Sequence, residues 1–277
     1  MPELPEVETI RRDLAGLLVG HTIAAVRILD PRAVQGFGPN GSPRRSVDPR
    51  AFAERLAGRR VTEVRRRGKY LAIALSDGFL LVHLRMTGQL IWGPPSPRAR
   101  AIVEFRGVPA VLNYCDTRRF GELWTVDRLE DDPALAALGP EPLADFDVNA
   151  WGRALRRSDA RVQAALLDQR RIAGLGNIYV TEALFLTGVR PTRRCGRLAP
   201  AEIPPLVRNI RRVLSTGIRR RGVSFRDYRD ARGERGQARA TLNVYGKAGR
   251  PCPRCRSPLR GVKVNGRGTV YCGRCQR

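Results

Sequence analysis

Lysine is nearly absent from this chain. Of 51 basic side chains only Lys69, Lys247 and Lys263 are lysine. A lysine kept in so arginine-rich a chain either has a role that arginine cannot fill or has not yet drifted. Acidic residues are scarce too: 26 against 51 basic leaves a net charge of +25, which makes a polyanion, nucleic acid first, the expected partner. No run approaches the roughly 18 apolar residues of a membrane helix, so no membrane partner is expected. The start, MPELPEVETI, has neither a basic n-region nor an apolar h-region, which excludes a signal peptide. These absences together predict a soluble, cytoplasmic protein whose thiols stay reduced. There is no internal repeat.

What is present is 277 residues of ordinary apolar content, 42%, enough for a sizeable core. The charge is uneven: residues 206–277 hold 20 basic and three acidic side chains, +17 of the net +25. Pro5 followed by Glu6 and Glu8 reads as a helix start, and Val7, Ile10, Leu14 and Leu17 give that helix one apolar face ending near Gly20. From Thr22 to Val126 the pattern becomes short strands, among them VTEVRRR, KYLAIAL, FLLVHLRM, AIVEF, AVLNYC and GELWTV. One helix leading a strand-rich block predicts a β-sandwich with helices at its edges. The acidic, proline-containing stretch 131–147 reads as a linker. Beyond it the period is helical, and residues 220–240, without apolar period, read as a long mobile loop.

Four of six cysteines form Cys252-Pro-Arg-Cys255 and Cys272-Gly-Arg-Cys275, separated by a hairpin-like stretch turning at Asn265-Gly266. Four thiolates make a closed tetrahedral Zn²⁺ site, hence one structural metal; two disulfides or free thiols are the alternative. Cys115 and Cys195 lack partners at metal spacing. Arg267 near the hairpin tip is either a phosphate ligand or one more solvated arginine. Between two helical stretches lies Gly174-Leu-Gly-Asn177, whose helix start can hold a phosphate, although any helical hairpin can use such a turn. Removal of Met1 would leave Pro2 a secondary amine with a pKa near 8, partly neutral and nucleophilic. Glu3 and Glu6 stand beside it, though Glu6 could simply complement the helix dipole.

PELPEVETIRRDL, GKYL, HLRMTG, NYCDTRRFGELW, LGPEPL, LLDQRRIAGLGNIY, RDYRD, LNVYGKAGRPCPRC and GTVYCGRCQ occur in order along the chain. Together they resemble the formamidopyrimidine-DNA glycosylase family, the bacterial oxoguanine glycosylases, over the whole length. The resemblance implies an α+β protein of two domains. Residues 1–130 would be a catalytic N-terminal β-sandwich with flanking helices, and 131–149 a linker. Residues 150–240 would be a helical domain with a helix–two-turn–helix motif and a lesion-capping loop near 220–240, and 241–277 a β-hairpin zinc finger. It implies that Pro2 attacks C1′ of the damaged nucleotide as a Schiff-base nucleophile, with Glu3 as acid/base and Glu6 holding the hydrogen-bond network. Lys69, His83, Asn177 and Arg267 would grip phosphates, with Tyr179 beside Asn177. Met86, Arg118 and Phe120 would fill the gap left by the extruded base. Without the resemblance, Met86, Phe120 and His83 default to core residues, although Met86 and Phe120 each adjoin a turn. Gln163 stands before AALLDQ where family members carry lysine. Glutamine rather than arginine there suggests a real change and not drift, which counts against carrying the oxoguanine preference over in full.

The function implied is a bifunctional glycosylase/AP lyase for oxidised purines in double-stranded DNA. It would act as a monomer, nucleoid-associated when bound, in base excision repair. Two rivals are an endonuclease VIII-like enzyme for oxidised pyrimidines and a non-catalytic lesion-binding zinc protein. The loop VSFRDYRDARGERG favours the purine branch, and the second rival needs neither Pro2 nor Glu3.

Overall fold

The first helix, α1 (Leu4–Leu18), forms where its apolar period predicts: Leu4, Val7, Ile10, Leu14 and Leu18 are all buried on one face. Pro5 sits in the first turn, where a missing N–H is harmless. In the computed structural model, which describes residues 1–36 and 45–277, the chain forms two compact units. The first comprises Met1–Ala137 and Arg220–Gln237, the second Leu138–Arg219 and Ala238–Arg277.

Two four-stranded antiparallel sheets make the first unit. One has the order β1 (Ile23–Ile28), β8 (Ala99–Phe105), β9 (Val108–Asp116), β7 (Gly88–Gly93). The other runs β10 (Glu122–Val126), β6 (Phe79–His83), β5 (Tyr70–Leu75), β4 (Val61–Arg67). A short ladder of β2 (Gln35–Gly36) and β3 (Arg45–Ser46), and the helix α2 (Pro49–Leu56), precede β4. Alternate residues of β8, Ala101, Val103 and Phe105, join Leu112 and Tyr114 of β9, Ile73 of β5 and Val82 of β6 in one core. Each leucine-sized side chain so buried stabilises the fold by about 1.5–3 kcal/mol.

After β10, Asp132 is fully buried; it accepts a 2.6 Å bond from Trp124 Nε1 and caps α3 (Pro133–Ala136). Residues 220–237 have an irregular backbone, as their aperiodic sequence predicts, but polar contacts tie them down. Asp230 is wholly buried and accepts from the Arg221 guanidinium at 2.9 Å and from the N–H groups of Arg232 and Glu234. Arg221 also bridges to Asp13 of α1 at 2.5 Å.

The second unit packs α4 (Val148–Arg156), α5 (Val162–Leu167), α6 (Asn177–Thr187) and α7 (Ile203–Arg219). It ends in the hairpin β11 (Leu259–Val264) and β12 (Arg267–Cys272). Asn265 and Gly266 turn that hairpin with φ of 47° and 76°, the two left-handed residues that the Asn-Gly pair predicts. Among the described residues no helix is long and apolar enough to cross a membrane.

Candidate active site and nucleic-acid interface

Pro2, Glu3 and Glu6 are all buried at the start of α1. Glu3 is the extended residue before the helix, and its N–H donates to Glu6 Oε2 at 2.8 Å. The other oxygen of Glu6 accepts the N–H of Val223 at 2.8 Å, and the Tyr228 hydroxyl reaches the Glu6 carbonyl at 3.4 Å. Burial, and then the Glu6 charge, push the Tyr228 phenol well above its ordinary pKa, so it stays a neutral donor. Gly222, at φ +82°, is where the chain makes this approach; a Cβ there would lie 2.8 Å from Glu6 Cγ. The amino terminus is thus fixed by residues more than 200 positions away in sequence.

A second cluster occupies one end of the β10-β6-β5-β4 sheet. Gly68 and Lys69 form the two-residue turn between β4 and β5, and Tyr70 pairs with His83, which in turn pairs with Glu122. Lys69 and His83 are both buried. His83 Nδ1 accepts the Arg85 N–H at 3.1 Å and its ring meets Tyr70 edge-on at 4.5 Å. Just past β6 the chain kinks, with Arg85 at φ 48°, and Met86 stands 41% exposed. Just before β10, Phe120 is 51% exposed, under the Arg118 guanidinium at 4.9 Å. An exposed Met and Phe on neighbouring turns, one stacked by arginine, are the opposite of core residues.

Asp116 holds these turns, a role the sequence reading missed. It is 2% exposed and accepts the Gly121 N–H at 2.7 Å, the Arg118 N–H at 3.2 Å and the Thr87 hydroxyl. One carboxylate therefore fixes both the Met86 and the Phe120 turn. Its signal was an acidic residue directly before a Thr-Arg-Arg turn.

In the second unit, α6 begins at Asn177 after Gly174-Leu-Gly. Asn177 Nδ2 donates to the Gly268 carbonyl of β12 at 2.7 Å, next to Arg267, and its Oδ1 accepts from Gln163 Nε2 at 2.7 Å. A carbonyl can only accept, so the orientation of both amides follows from Gly268. Gln163 Oε1 is left buried without a partner. Tyr179 is buried, its ring filling the space that Gly217 leaves; a Cβ there would fall 2.6 Å from the phenol oxygen. Also missed was Glu182, 2% exposed on α6, which accepts four bonds of 2.7–2.8 Å from Asn243, Val244 and Tyr245. A carboxylate within the otherwise apolar stretch TEALFL was its signal.

The four finger sulfurs lie within 4.8 Å of one another, with Cys252–Cys275 at 3.9 Å and Cys255–Cys272 at 3.4 Å. Zn–S bonds of about 2.3 Å in a tetrahedron put sulfurs about 3.8 Å apart, so the set fits zinc. The thiols do not ionise alike: bonds from Ser257 pull Cys255 down to about 6, while burial and the neighbouring sulfurs push Cys275 up to about 12. A divalent cation bound there would hold all four as thiolates. Cys195 is buried and its thiol pushed up to about 11 by burial, and Cys115 is half-buried and also raised by burial.

Family models match three successive stretches. These are the formamidopyrimidine-DNA glycosylase N-terminal domain over residues 1–123, its H2TH domain over 138–228, and the zinc finger found in FPG and IleRS over 249–277. The chain is 41% identical over 283 residues to the formamidopyrimidine-DNA glycosylase of Desulfitobacterium hafniense, covering 100% of both. With that of Symbiobacterium thermophilum it shares 43% over 282 residues, covering 100% of this chain and 89% of the relative. Among solved structures, wild-type Lactococcus lactis Fpg with DNA containing N7-benzyl-Fapy-dG superposes at a TM-score of 0.89 with 34% identity, covering 100% of both chains. The MutM (FPG) protein of Thermus thermophilus gives a TM-score of 0.85 at 40% identity, covering 99% of this chain and 98% of that one.

Proposed function

Because the chain belongs to the formamidopyrimidine-DNA glycosylase family, we propose that it excises oxidised purines from double-stranded DNA and then nicks the strand, with Pro2 as nucleophile. The observation that carries this reading is the buried, hydrogen-bonded amino terminus. Glu3 and Glu6 flank Pro2 there, and Val223 is tied to the same carboxylate. While Met1 is attached, the Pro2 nitrogen is an amide with no basicity; once Met1 is removed it is a secondary amine. That amine attacks C1′, the bond to the damaged base breaks, and the base leaves with a proton. Glu3 serves as acid/base at the sugar, protonating the ring oxygen as the sugar opens to a cationic iminium between Pro2 and C1′. Loss of a C2′ proton then expels the 3′ phosphate, and a second elimination expels the 5′ phosphate.

Lys69, His83, Asn177 and Arg267 bind phosphates, and the exposed Met86, Arg118 and Phe120 fill the gap left by the extruded nucleotide. Relatives solved with Fapy-dG or abasic-site DNA support this choice of partner. Cys252, Cys255, Cys272 and Cys275 would hold one Zn²⁺, which supplies a structural tie in place of a core. Borohydride should trap a covalent adduct at Pro2 with lesion duplex and not with undamaged duplex. A tag fused ahead of Pro2 should abolish trapping and cutting while leaving DNA affinity within about twofold. Equal cutting by blocked and free amino termini would overturn the mechanism.

A further inference from the structure

At the far end of α6 from Asn177, about 16 Å along an eleven-residue helix, lies a concavity of about 470 Å³. Arg190, Thr192, Arg193, Arg194, Arg197 and Arg277 line it. Its walls are fixed by backbone. Arg277 N–H donates to the Gly188 carbonyl and Arg190 N–H to the main-chain carboxylate oxygen of Arg277, both at 2.9 Å. The fully buried Gln276 clasps Val189 O and the Cys272 N–H, each at 2.8 Å. The groove is therefore pre-formed and braced by the second cysteine pair.

Its charge is not balanced from within. Two carboxylates meet the lining arginines: Arg193 takes Glu202 with both arms at 2.8 and 2.7 Å and also reaches the main-chain carboxylate oxygen of Arg277, the last residue, at 3.4 Å. Among the described residues, Arg190, Arg194, Arg197 and Arg277 have no Asp or Glu side chain within ion-pair distance. Arg194 finds only the Asp159 backbone carbonyl, at 3.0 Å. Arg190 is the most under-satisfied: its Nε is buried with no acceptor, its Nη2 makes only a 3.5 Å contact to Gly273 O, and it leans on the Tyr271 ring. A buried cationic donor without an acceptor is costly. Guanidiniums crowded round a concavity repel one another until an anion enters, and their planar forks match phosphate oxygens.

We propose that this groove is a second phosphate site of the Leu138–Arg219/Ala238–Arg277 unit, taking the sugar–phosphate backbone of a DNA segment other than the one at Asn177. The proposal rests on the reading of the chain as a DNA enzyme only for the identity of the polyanion. Five lining arginines against Glu202 and the Arg277 carboxylate leave three uncompensated charges. Neutralising three phosphates with them gives a salt slope near −2.7, about a 40-fold loss of affinity between about 50 and about 200 mM salt.

The test saturates the protein with a short lesion-analogue duplex, then titrates a labelled undamaged duplex at several salt concentrations. The wild-type complex should take up the second duplex with that slope. R194A/R197A removes two exposed side chains and should flatten the slope to about −1; adding Arg190→Ala should abolish uptake. Cutting of a short lesion duplex should stay at the wild-type rate in both variants. A wild-type complex that binds no second duplex, or an unchanged slope in R194A/R197A, overturns the proposal. Failure of the wild type to cut the lesion duplex would instead count against the catalytic reading, and the titration would still report on the groove.

Discussion

Glu6 in the first unit and Glu182 in the second are both buried carboxylates on helices, and each ties a distant stretch of chain to its helix. They differ in where their bonds go. Glu182 spends four bonds on three consecutive residues, Asn243 to Tyr245, the lead-in to the cysteine hairpin. Glu6 divides its bonds between its own helix start, at Glu3, and Val223 in the returning segment. The first arrangement is an anchor, whose loss frees one segment. The second is a junction, whose loss disconnects the start of α1 from the returning segment at Val223. A carboxylate in an apolar interior is tolerated in either case because backbone N–H groups satisfy it.

Glu182→Ala should have the largest effect, since three backbone N–H groups and the Asn243 amide lose their acceptor together. The loss should be on the order of 5 kcal/mol, read as zinc release to a chelating dye at a far lower dye concentration. Glu6→Ala should follow, at about 3 kcal/mol, seen as protease cleavage within 220–237 while metal retention stays at the wild-type level. Zinc release in the Glu6 variant, or cleavage at 220–237 in the Glu182 variant, would break the comparison, because the two hubs would then not act within their own units.

Smaller is the effect at Gln163, where a lysine ammonium would replace an amide that now leaves one oxygen without a donor. Gln163→Lys should move the ratio of single-turnover rates on oxoguanine and formamidopyrimidine duplexes toward oxoguanine, by at most about tenfold. Identical ratios would remove Gln163 from lesion choice. The gentlest test concerns Glu8, half-buried between α1 and β4. Burial raises its pKa, but bonds from Arg11 and Arg12 and the charges of Arg11 and Arg66 outweigh that and leave it lowered. A lowered folded pKa contributes stability above the unfolded value of about 4.3, lost as pH falls through the folded value. Acid unfolding of the first unit should therefore steepen below about pH 4, and Glu8→Gln should flatten it.

The strands and α1 were legible because their signal is local: alternating Ala101, Val103 and Phe105, or leucines at helical spacing, declare a buried face wherever they occur. β1 lies within the strand-rich block from Thr22, whereas α2, only eight residues long, has too short a period to stand out inside it. The cysteine set was legible from spacing, and the exposure of Met86 and Phe120 from their neighbouring turns. Asp116, Glu182 and the order of residues 220–237 were not read. A hub such as Asp230 looks like any solvated acid until Arg221, Arg232 and Glu234 are brought around it, and periodicity carries no record of that meeting.

Because residues 220–237 return to the first unit, the two units are interleaved along the chain rather than laid end to end. During synthesis the amino terminus emerges first, yet the sandwich that surrounds it lacks Val223 and Tyr228 until most of the polypeptide has left the ribosome. The second unit in turn waits for its last cysteines. A nascent chain therefore carries α1 long before Val223 and Tyr228 can bond to Glu6, and no single cut yields two whole halves. Splitting the gene product at residue 137 should give a soluble fragment pair only when both pieces are co-expressed, so that the returning segment can thread back onto the helix it completes.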